Sequence, residues 1–412
     1  MVVWIQNPFD NLPSEGYRKQ RYWLMCEAFA RAGHQVVFWT SDFSHAKKRS
    51  RVESQNANLR ESDESSRIDL RLIPTLPYPK NVCFARIRSH RAYAREWLRL
   101  ALDPILASPV SRPFLIVTST PTLSAAAAAI DLGRKFGAKV VVDVMDAWPE
   151  TFERLAPKGF GWMARPFLAG MYRTARRIYR EADLVTGVRE RYRELTGRDD
   201  YHLAYHGIDL GPHAPVPCPW PHDTTRRVRL AYAGNLGKTY DLATVVKAVE
   251  RNPDFELDVA GFGEFGSACP RVRFHGLLSE QDLQALLGRC DVGIVPMRPD
   301  SWVGVPYKFC DYAQAGLAIV SSLGGESSAL LEKYGCGATY DAGDVSSLTA
   351  AIRKARTLGR GASRAMCEAE FDATKIYDAY VSRVLRIVRG REPELRESAA
   401  RPAGRNAAAT VV

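Results

Sequence analysis

The segment spanning residues 228–326 constrains the fold most, because three short apolar runs in it each end in glycine or proline. The runs are residues 228–234, 255–263 and 291–296, and helical spacing follows the first at Leu242, Val245 and Val249. Apolar runs that alternate with helical patterns predict βα units and a parallel sheet. Ligands bind open α/β sheets at the carboxyl ends of the strands. We therefore predict that these three strand ends converge on one crevice.

The turn after the first run predicts an anion-binding site. Residues 234–240 read Gly-Asn-Leu-Gly-Lys-Thr-Tyr, and backbone N–H groups between a strand and a helix bind anionic oxygens. Lys238 offers a positive charge there, and Asn235 offers an uncharged donor. Lys308 opens a second helical segment, where a cation is unfavourable unless it faces an anion. Each glycine turn by itself is also compatible with tight backbone geometry and no ligand.

The order and spacing of several residues resemble the donor half of GT-B glycosyltransferases, namely family 4 of the retaining enzymes and its bacterial polysaccharide-assembly branch. The residues are Gly234, Gly261, Gly263, Lys308, Asp311 and Gly324-Gly325, with further similarity in residues 272–276 and 290–296. The resemblance covers about the whole chain. It implies an α/β GT-B fold with two Rossmann-like doubly wound domains that face a central cleft.

The resemblance also implies a reaction and a set of site residues. A sugar would pass from a UDP- or GDP-sugar to a sugar hydroxyl of a lipid-linked or polysaccharide acceptor, with retention, in envelope polysaccharide biosynthesis. Lys308 would stabilise the departing diphosphate in place of a metal, Asp311 would hold the ribose hydroxyls, and neither cofactor nor metal is expected. The expected donor-binding residues are Gly16, Gly234, Asn235, Lys238, Gly261, Gly263 and Glu326. Glu326 is equally compatible with capping the next helix.

The sequence departs from the family pattern at four positions. The first acid of the family's acidic pair falls on Val303, and Asp311 is one methylene shorter than the second. The family's phosphate-binding Arg and Lys fall on Asn235 and Tyr240, so Lys238 is the expected substitute. The lost acid at Val303 leaves the sugar specificity of the donor site open.

The amino-terminal half begins with a βαβ pattern. Residues 2–5 and 33–40 read as strands, a Pro/Gly-rich loop spans 7–16, and helical spacing covers 18–32. The resemblance gives Gly16 a close approach to the donor diphosphate and places Arg18 or Arg21 near the phosphates. In the alternative interpretation Gly16 only permits a turn, and both arginines are solvated.

Asp146 is the expected acceptor-side residue. Residues 139–145 read as a strand that runs directly into Asp-Ala-Trp-Pro-Glu at 146–150, which matches a motif of the family branch. A carboxylate in that position lies at the edge of the cleft and can hold or partly deprotonate the acceptor hydroxyl. The alternative is that Asp146 caps the following helix. Asp143 points to the opposite face of the strand and is the weaker candidate.

Length and composition fit two domains. The 412 residues are 46% apolar, enough for two cores of about 200 residues each. We expect an acceptor domain at 1–205, a donor domain at 206–373, a helix at about 374–389 that crosses back to the first domain, and a disordered tail at 390–412.

Positive charge is concentrated in the first half of the chain. Residues 1–200 hold 32 Lys and Arg against 22 Asp and Glu, whereas residues 201–350 hold 12 against 17. A helical stretch with Arg86, Arg88, Arg91, Arg95 and Trp97 predicts a face that rests on an anionic membrane or contacts the acceptor. An ordinary solvated arginine face is the alternative, and no nucleic-acid recognition module is found.

The expected location is the cytoplasm, with peripheral contact to the inner face of the membrane. No run of 18 apolar residues occurs, and the eight cysteines form no Cys-x-x-Cys pair. Two other functions remain open for this fold. One is a sugar-nucleotide 2-epimerase, and the other is a catalytically silent GT-B subunit that binds a partner enzyme.

Overall fold

The computed structural model describes residues 1–15, 18–51, 67–80, 83–103, 112–153, 161–211, 226–237, 239–298, 301–358 and 361–388. Two parallel sheets, each covered by helices on both faces, form two Rossmann-like domains. Three predictions fall outside the described residues, namely Gly16, Lys238 and the tail at 390–412.

The described part of the first domain contains nine strands. They are β1 Val2–Gln6, β2 Gln35–Ser41, β3 Phe43–Ser44, β4 Arg49–Ser50, β5 Ile68–Ile73, β6 Leu115–Thr120, β7 Lys139–Val144, β8 Leu184–Gly187 and β9 His202–Leu203. Seven of these form a sheet in the order β5-β2-β1-β6-β7-β8-β9, and β3 pairs with β4 in a separate antiparallel hairpin. Its helices are α1 Arg21–Arg31, α2 Phe84–Ala101, α3 Leu123–Phe136, α4 Glu150–Glu153, α5 Arg165–Glu181 and α6 Tyr192–Thr196.

The second domain is built in the same way. Its strands are β10 Val228–Ala233, β11 Phe255–Ala260, β12 Val272–Gly276, β13 Val292–Val295, β14 Ala318–Ser321 and β15 Gly337–Thr339, in the sheet order β12-β11-β10-β13-β14-β15. Its helices are α7 Leu242–Arg251, α8 Glu280–Leu287, α9 Tyr307–Gln314, α10 Glu326–Tyr334, α11 Val345–Arg356 and α12 Gly361–Met366. The strands predicted from the apolar runs are confirmed, each within a few residues of the expected bounds.

Apolar side chains that alternate between the two faces of a strand explain why both faces of each sheet are covered. In β7, Val140 and Val142 belong to one apolar cluster of the first domain, whereas Val141 belongs to the other. Strands buried on both faces are the expected form in a parallel sheet. In both sheets the chain order reverses beside one strand, β1 in the first and β10 in the second, which is where such sheets form a ligand crevice.

The last helix, α13 (Ala373–Val388), packs on the first domain although it follows the second in the chain. Tyr377, Tyr380 and Val384 are fully buried in the cluster that contains Val3 and Tyr22. The Tyr377 hydroxyl accepts a hydrogen bond from the Gly207 amide at 3.0 Å, so the helix holds the segment that links the two sheets. Among the described residues, no helix is both long and apolar enough to cross a bilayer.

Candidate functional site

A cavity of about 400 Å³ lies at the carboxyl ends of β10 and β11, on the side of the second domain that faces the first. Its lining includes Gly234, Asn235, Gly261, Lys308 and Asp311. The third predicted strand, β13, does not end at this cavity. The segment after β13 is joined to the site indirectly: Met297 forms an isolated β-bridge with Tyr240, and Tyr240 lines the cavity.

The glycines that follow β10 and β11 permit a close approach of two chain segments. A Cβ atom on Gly261 would lie 1.8 Å from the carbonyl oxygen of Gly234, and Gly261 has a φ of +144°. Their amides are already bonded, because Gly234 donates to the Ala260 carbonyl and Gly261 to the Gly276 carbonyl. These two amides are therefore not free to bind a ligand, and the two glycines shape the cavity wall.

Gly263 also has a steric role. A Cβ atom at this position would lie 2.7 Å from the Cβ of Leu236, and its φ is +149°. Gly263 shapes the turn after β11 but does not line the cavity.

Lys308 lies in the first turn of α9 and extends between two tyrosine rings. Its Nζ atom is 3.5 Å from the centroid of the Tyr240 ring and 4.1 Å from that of the Tyr232 ring. It donates a hydrogen bond to the Tyr232 hydroxyl at 2.9 Å, and that hydroxyl donates to the Asn235 carbonyl at 2.5 Å. Cation–π attraction to both rings thus fixes the ammonium group at the cavity wall.

The electrostatic surroundings of Lys308 favour an incoming anion. Only 6% of Lys308 is exposed, and burial holds the pKa of its amine well below the usual value, opposed by the negative charge of Asp311. Among the residues that the structure describes, no carboxylate oxygen lies within 4 Å of Nζ. A buried cation without a close counter-ion is costly, and an anionic ligand would remove much of that cost.

Asp311 lines the same cavity and is paired with Arg18 of the first domain. Arg18 also stacks over Tyr307, with its guanidinium carbon 4.5 Å from the ring centroid. Burial raises the pKa of the Asp311 carboxyl, while Arg18 and Lys308 oppose that shift. Arg18 and Asp311 line a second pocket of about 560 Å³ as well, so the two pockets form one crevice between the domains.

Arg21 has a different role from Arg18. It makes a bidentate ion pair with Asp143 at 2.8 Å for each hydrogen bond, and both side chains are fully buried. The Tyr22 and Thr186 hydroxyls donate to the same carboxylate at 2.6 and 2.7 Å. Arg21 is therefore a structural residue of the first domain, and Arg18 is the arginine that reaches the cavity.

Glu326 does not line the cavity. Its carboxylate accepts a hydrogen bond from the Glu190 amide at 2.8 Å and lies 3.4 Å from Arg189 Nε, so it joins the second domain to the first. It begins α10 without capping it through its side chain, because Gly325 occupies the cap position. Both expectations for Glu326, donor contact and helix cap, are replaced in this structure by an ion pair between the domains.

Asp146 follows Met145 just beyond the end of β7, at the carboxyl edge of the first sheet. Thr151 donates to its carboxylate at 3.3 Å. Burial raises the pKa of this carboxyl, and the nearby positive charge of Arg86 opposes the rise. A half-buried carboxylate with an elevated pKa can hold a hydroxyl group and take up its proton.

Arg86 and Trp97 do not lie on the predicted basic face of α2. The Arg86 guanidinium lies over the rings of Phe9 and Trp148, at 5.3 and 5.2 Å, and so points toward Asp146. Trp97 is 0% exposed and packs in the core, because it follows Tyr93 by four residues on the inner side of the helix. Arg88, Arg91 and Arg95 are exposed, and their contact with a membrane or an acceptor stays a prediction.

Two contacts of the site are not predicted from the sequence. Tyr232 and Tyr240 hold Lys308, whereas the sequence marks Tyr240 only as the replacement of a family lysine. Arg18 pairs with an acid 293 residues away, and no local pattern signals such a contact. Val303, where the resemblance expects an acid, does line the cavity and leaves that part of the wall apolar.

Two family models match the chain, one in each domain. The model for the glycosyl transferase 4-like domain matches residues 19–202, and the model for glycosyl transferases group 1 matches residues 227–357. Together they cover about three quarters of the chain. A search of curated protein sequences found no match.

Solved structures with the same fold cover nearly the whole chain. Sucrose-phosphate synthase from Thermosynechococcus elongatus superposes with a TM-score of 0.67 at 16% identity, covering 94% of this chain and 98% of that one. Anabaena HepE in complex with UDP-glucose gives 0.59 at 13% identity, covering 93% and 99%. Arabidopsis thaliana UGT89C1 complexed with UDP gives 0.55 at 12% identity, also covering 93% and 99%.

Proposed function

Because the chain belongs to the GT-B glycosyltransferases that the 4-like and group 1 models describe, we propose that it transfers a sugar from a nucleotide-diphosphate donor to an acceptor hydroxyl. The donor cavity would be the 400 Å³ space between β10, β11 and α9. The observation that carries this proposal is Lys308, a buried ammonium group that two aromatic rings hold at the cavity wall. The solved complexes of HepE with UDP-glucose and of UGT89C1 with UDP support a UDP-sugar as the donor.

In this proposal the chain's own cations stabilise the departing diphosphate. Fixed positive charge in a cavity that excludes water is an effective way to stabilise developing negative charge. Lys308 supplies it from the second domain and Arg18 from the first, once a diphosphate displaces Asp311 as the partner of Arg18. We further propose that no metal ion is required and that the anomeric configuration is retained.

Asp146 is the proposed acceptor-side residue. It follows a strand of the first sheet, and its elevated pKa suits a group that holds the acceptor hydroxyl. A lipid-linked saccharide acceptor in envelope polysaccharide assembly is proposed because exposed arginines, Arg88, Arg91 and Arg95, give the first domain a surface that fits an anionic membrane.

The direct test is a turnover assay with UDP-, GDP-, ADP- and dTDP-sugars, lipid-linked saccharides as acceptors, and EDTA in one arm. We expect acceptor-dependent release of one nucleoside diphosphate, unaffected by EDTA, and NMR of the product should show the donor's anomeric configuration. Conversion of a donor into its 2-epimer without acceptor would favour the epimerase. Absence of any conversion, together with donor binding, would favour a silent partner subunit.

The tyrosines around Lys308 give a prediction with an internal control. Replacing Tyr240 with Leu removes a ring that stabilises the ammonium group, and cation–π contacts contribute about 0.5–2 kcal/mol. We expect Tyr240→Leu to lower kcat/KM for the donor by about 2- to 30-fold, whereas Tyr240→Phe, which keeps the ring, should retain activity. Equal losses in both variants, measured by initial rates at varied donor concentration, would contradict a role for the ring face.

A further inference from the structure

A large apolar groove lies between α2 and α5 on the first domain, apart from the donor cavity. Its volume is about 730 Å³, and the residues that give it an apolar floor include Ile87, Leu123, Trp148 and Met171. No acidic side chain is found among the described residues that line it. The groove is large enough for an elongated apolar ligand rather than a single solvent molecule.

The outer end of the groove exposes large apolar side chains. Phe84 at the start of α2 is 87% exposed, and Phe167 in the first turn of α5 is 89% exposed. Trp162 and Met163, in the turn before α5, are also exposed. Clustered exposed side chains of this size mark a contact surface for a partner or a membrane.

Arginines of α2 border the same groove. Arg88 and Arg91 line it, and both side chains are exposed. An apolar floor with a cationic edge is complementary to an amphiphile that carries a hydrocarbon chain and a negatively charged head group.

The inner end of the groove leads toward the proposed acceptor-side carboxylate. His90 and Trp148 line this end, and their rings lie 5.4 Å apart. Arg86 connects them to Asp146, because it bonds His90 Nε2 at 3.3 Å, lies over Trp148 and acts electrostatically on Asp146. A saccharide attached to a ligand in the groove would therefore lie close to Asp146.

We propose that this groove binds the hydrocarbon chain of the lipid that carries the acceptor saccharide, with Arg88 and Arg91 contacting its phosphate. This inference rests on the proposed function, since it assigns the substrate class of the acceptor side. The exposed Phe84 and Phe167 lie in the acyl region of the membrane, and the saccharide extends past Trp148 to Asp146.

The first test is flotation of the full chain with phosphatidylcholine vesicles that contain or lack an anionic lipid. We expect binding to the anionic vesicles and a loss of at least about tenfold in Phe84→Ser/Phe167→Ser. Arg88→Gln/Arg91→Gln should lose about 30-fold, because each basic residue near the surface contributes about a factor of five. Leu102→Ser, at the far end of α2, and Arg251→Gln, on the second domain, are the matched controls.

The second test distinguishes a groove that binds the hydrocarbon chain of the acceptor lipid from simple attachment of the protein to a membrane. In detergent, we expect Phe84→Ser/Phe167→Ser to raise KM for a lipid-linked acceptor and leave KM for the same saccharide without lipid unchanged. Two results would overturn the assignment of the groove. One is that Phe84→Ser/Phe167→Ser keeps wild-type KM values for both acceptors, and the other is that only the arginine variant weakens vesicle binding.

Thermal stabilisation by UDP in the same variants keeps the two proposals distinguishable. Unchanged stabilisation in the groove variants places the defect on the acceptor side. If the wild type binds vesicles but no nucleotide, the proposed function fails while the lipid surface stands as a separate property.

Discussion

Replacing Lys308 with Met should lower kcat for sugar transfer by about 100- to 1,000-fold, the usual effect of removing one group that stabilises transition-state charge. Methionine keeps the length and packing of the stem between Tyr232 and Tyr240 but removes the ammonium group. The measurement is the initial rate of nucleoside diphosphate release at saturating donor and acceptor. Because the amine acts on charge that develops during bond cleavage, kcat should fall more than donor affinity.

The fold should survive this change. Lys308 is buried without a carboxylate within 4 Å among the described residues, so loss of its charge removes a desolvation cost. We expect an unfolding temperature equal to or above that of the wild type. Lys333→Met is the control, because Lys333 is an exposed lysine of the same domain that pairs with Glu370. A kcat close to the wild-type value in Lys308→Met would refute the role of this amine in leaving-group stabilisation.

Replacing Asp143 with Asn should destabilise the first domain by about 3–5 kcal/mol, the usual cost of removing one charged partner from a buried ion pair. Four donors converge on this carboxylate, two from Arg21 and one each from Tyr22 and Thr186. In asparagine one oxygen becomes an NH₂ group, which faces donors and leaves the buried guanidinium without its counter-ion. Urea unfolding followed by circular dichroism measures the loss.

The matched control for this stability prediction is Asp131→Asn. Asp131 pairs with Arg177 at the surface and is half exposed, so its loss should cost less than about 1 kcal/mol. Equal, small effects of the two substitutions would show that the Arg21–Asp143 pair contributes little. They would also reopen Arg21 as a candidate for binding the donor phosphates.

The order of strands and helices could be predicted because it depends on local patterns. The run at 228–234 and the spacing of Leu242, Val245 and Val249 carry enough information to place β10 and α7. The same local information places Lys308 at the start of a helix and Asp146 after a strand. Family resemblance supplied their proposed chemistry.

Contacts between distant segments could not be predicted from those patterns. The ion pairs Arg18–Asp311 and Arg189–Glu326 depend on how the two domains face each other. Local patterns in a single sequence carry no information about that arrangement. Helical periodicity does separate Trp97 from the arginines of α2, since Tyr93 and Trp97 share the buried side. Trp97 therefore belongs to the core, and its assignment to the basic face is wrong.

The most direct test of the donor site is binding of UDP, GDP, ADP and dTDP to the wild-type chain in the presence of EDTA, measured by thermal stabilisation. We predict that one nucleotide family stabilises the protein by about 2.7 kcal/mol at a hundredfold excess over its dissociation constant. The same nucleotide should bind Lys308→Met less tightly and Lys333→Met normally. Stabilisation by none of the four nucleotides would contradict the central claim that the cavity beside Lys308 binds a nucleoside diphosphate.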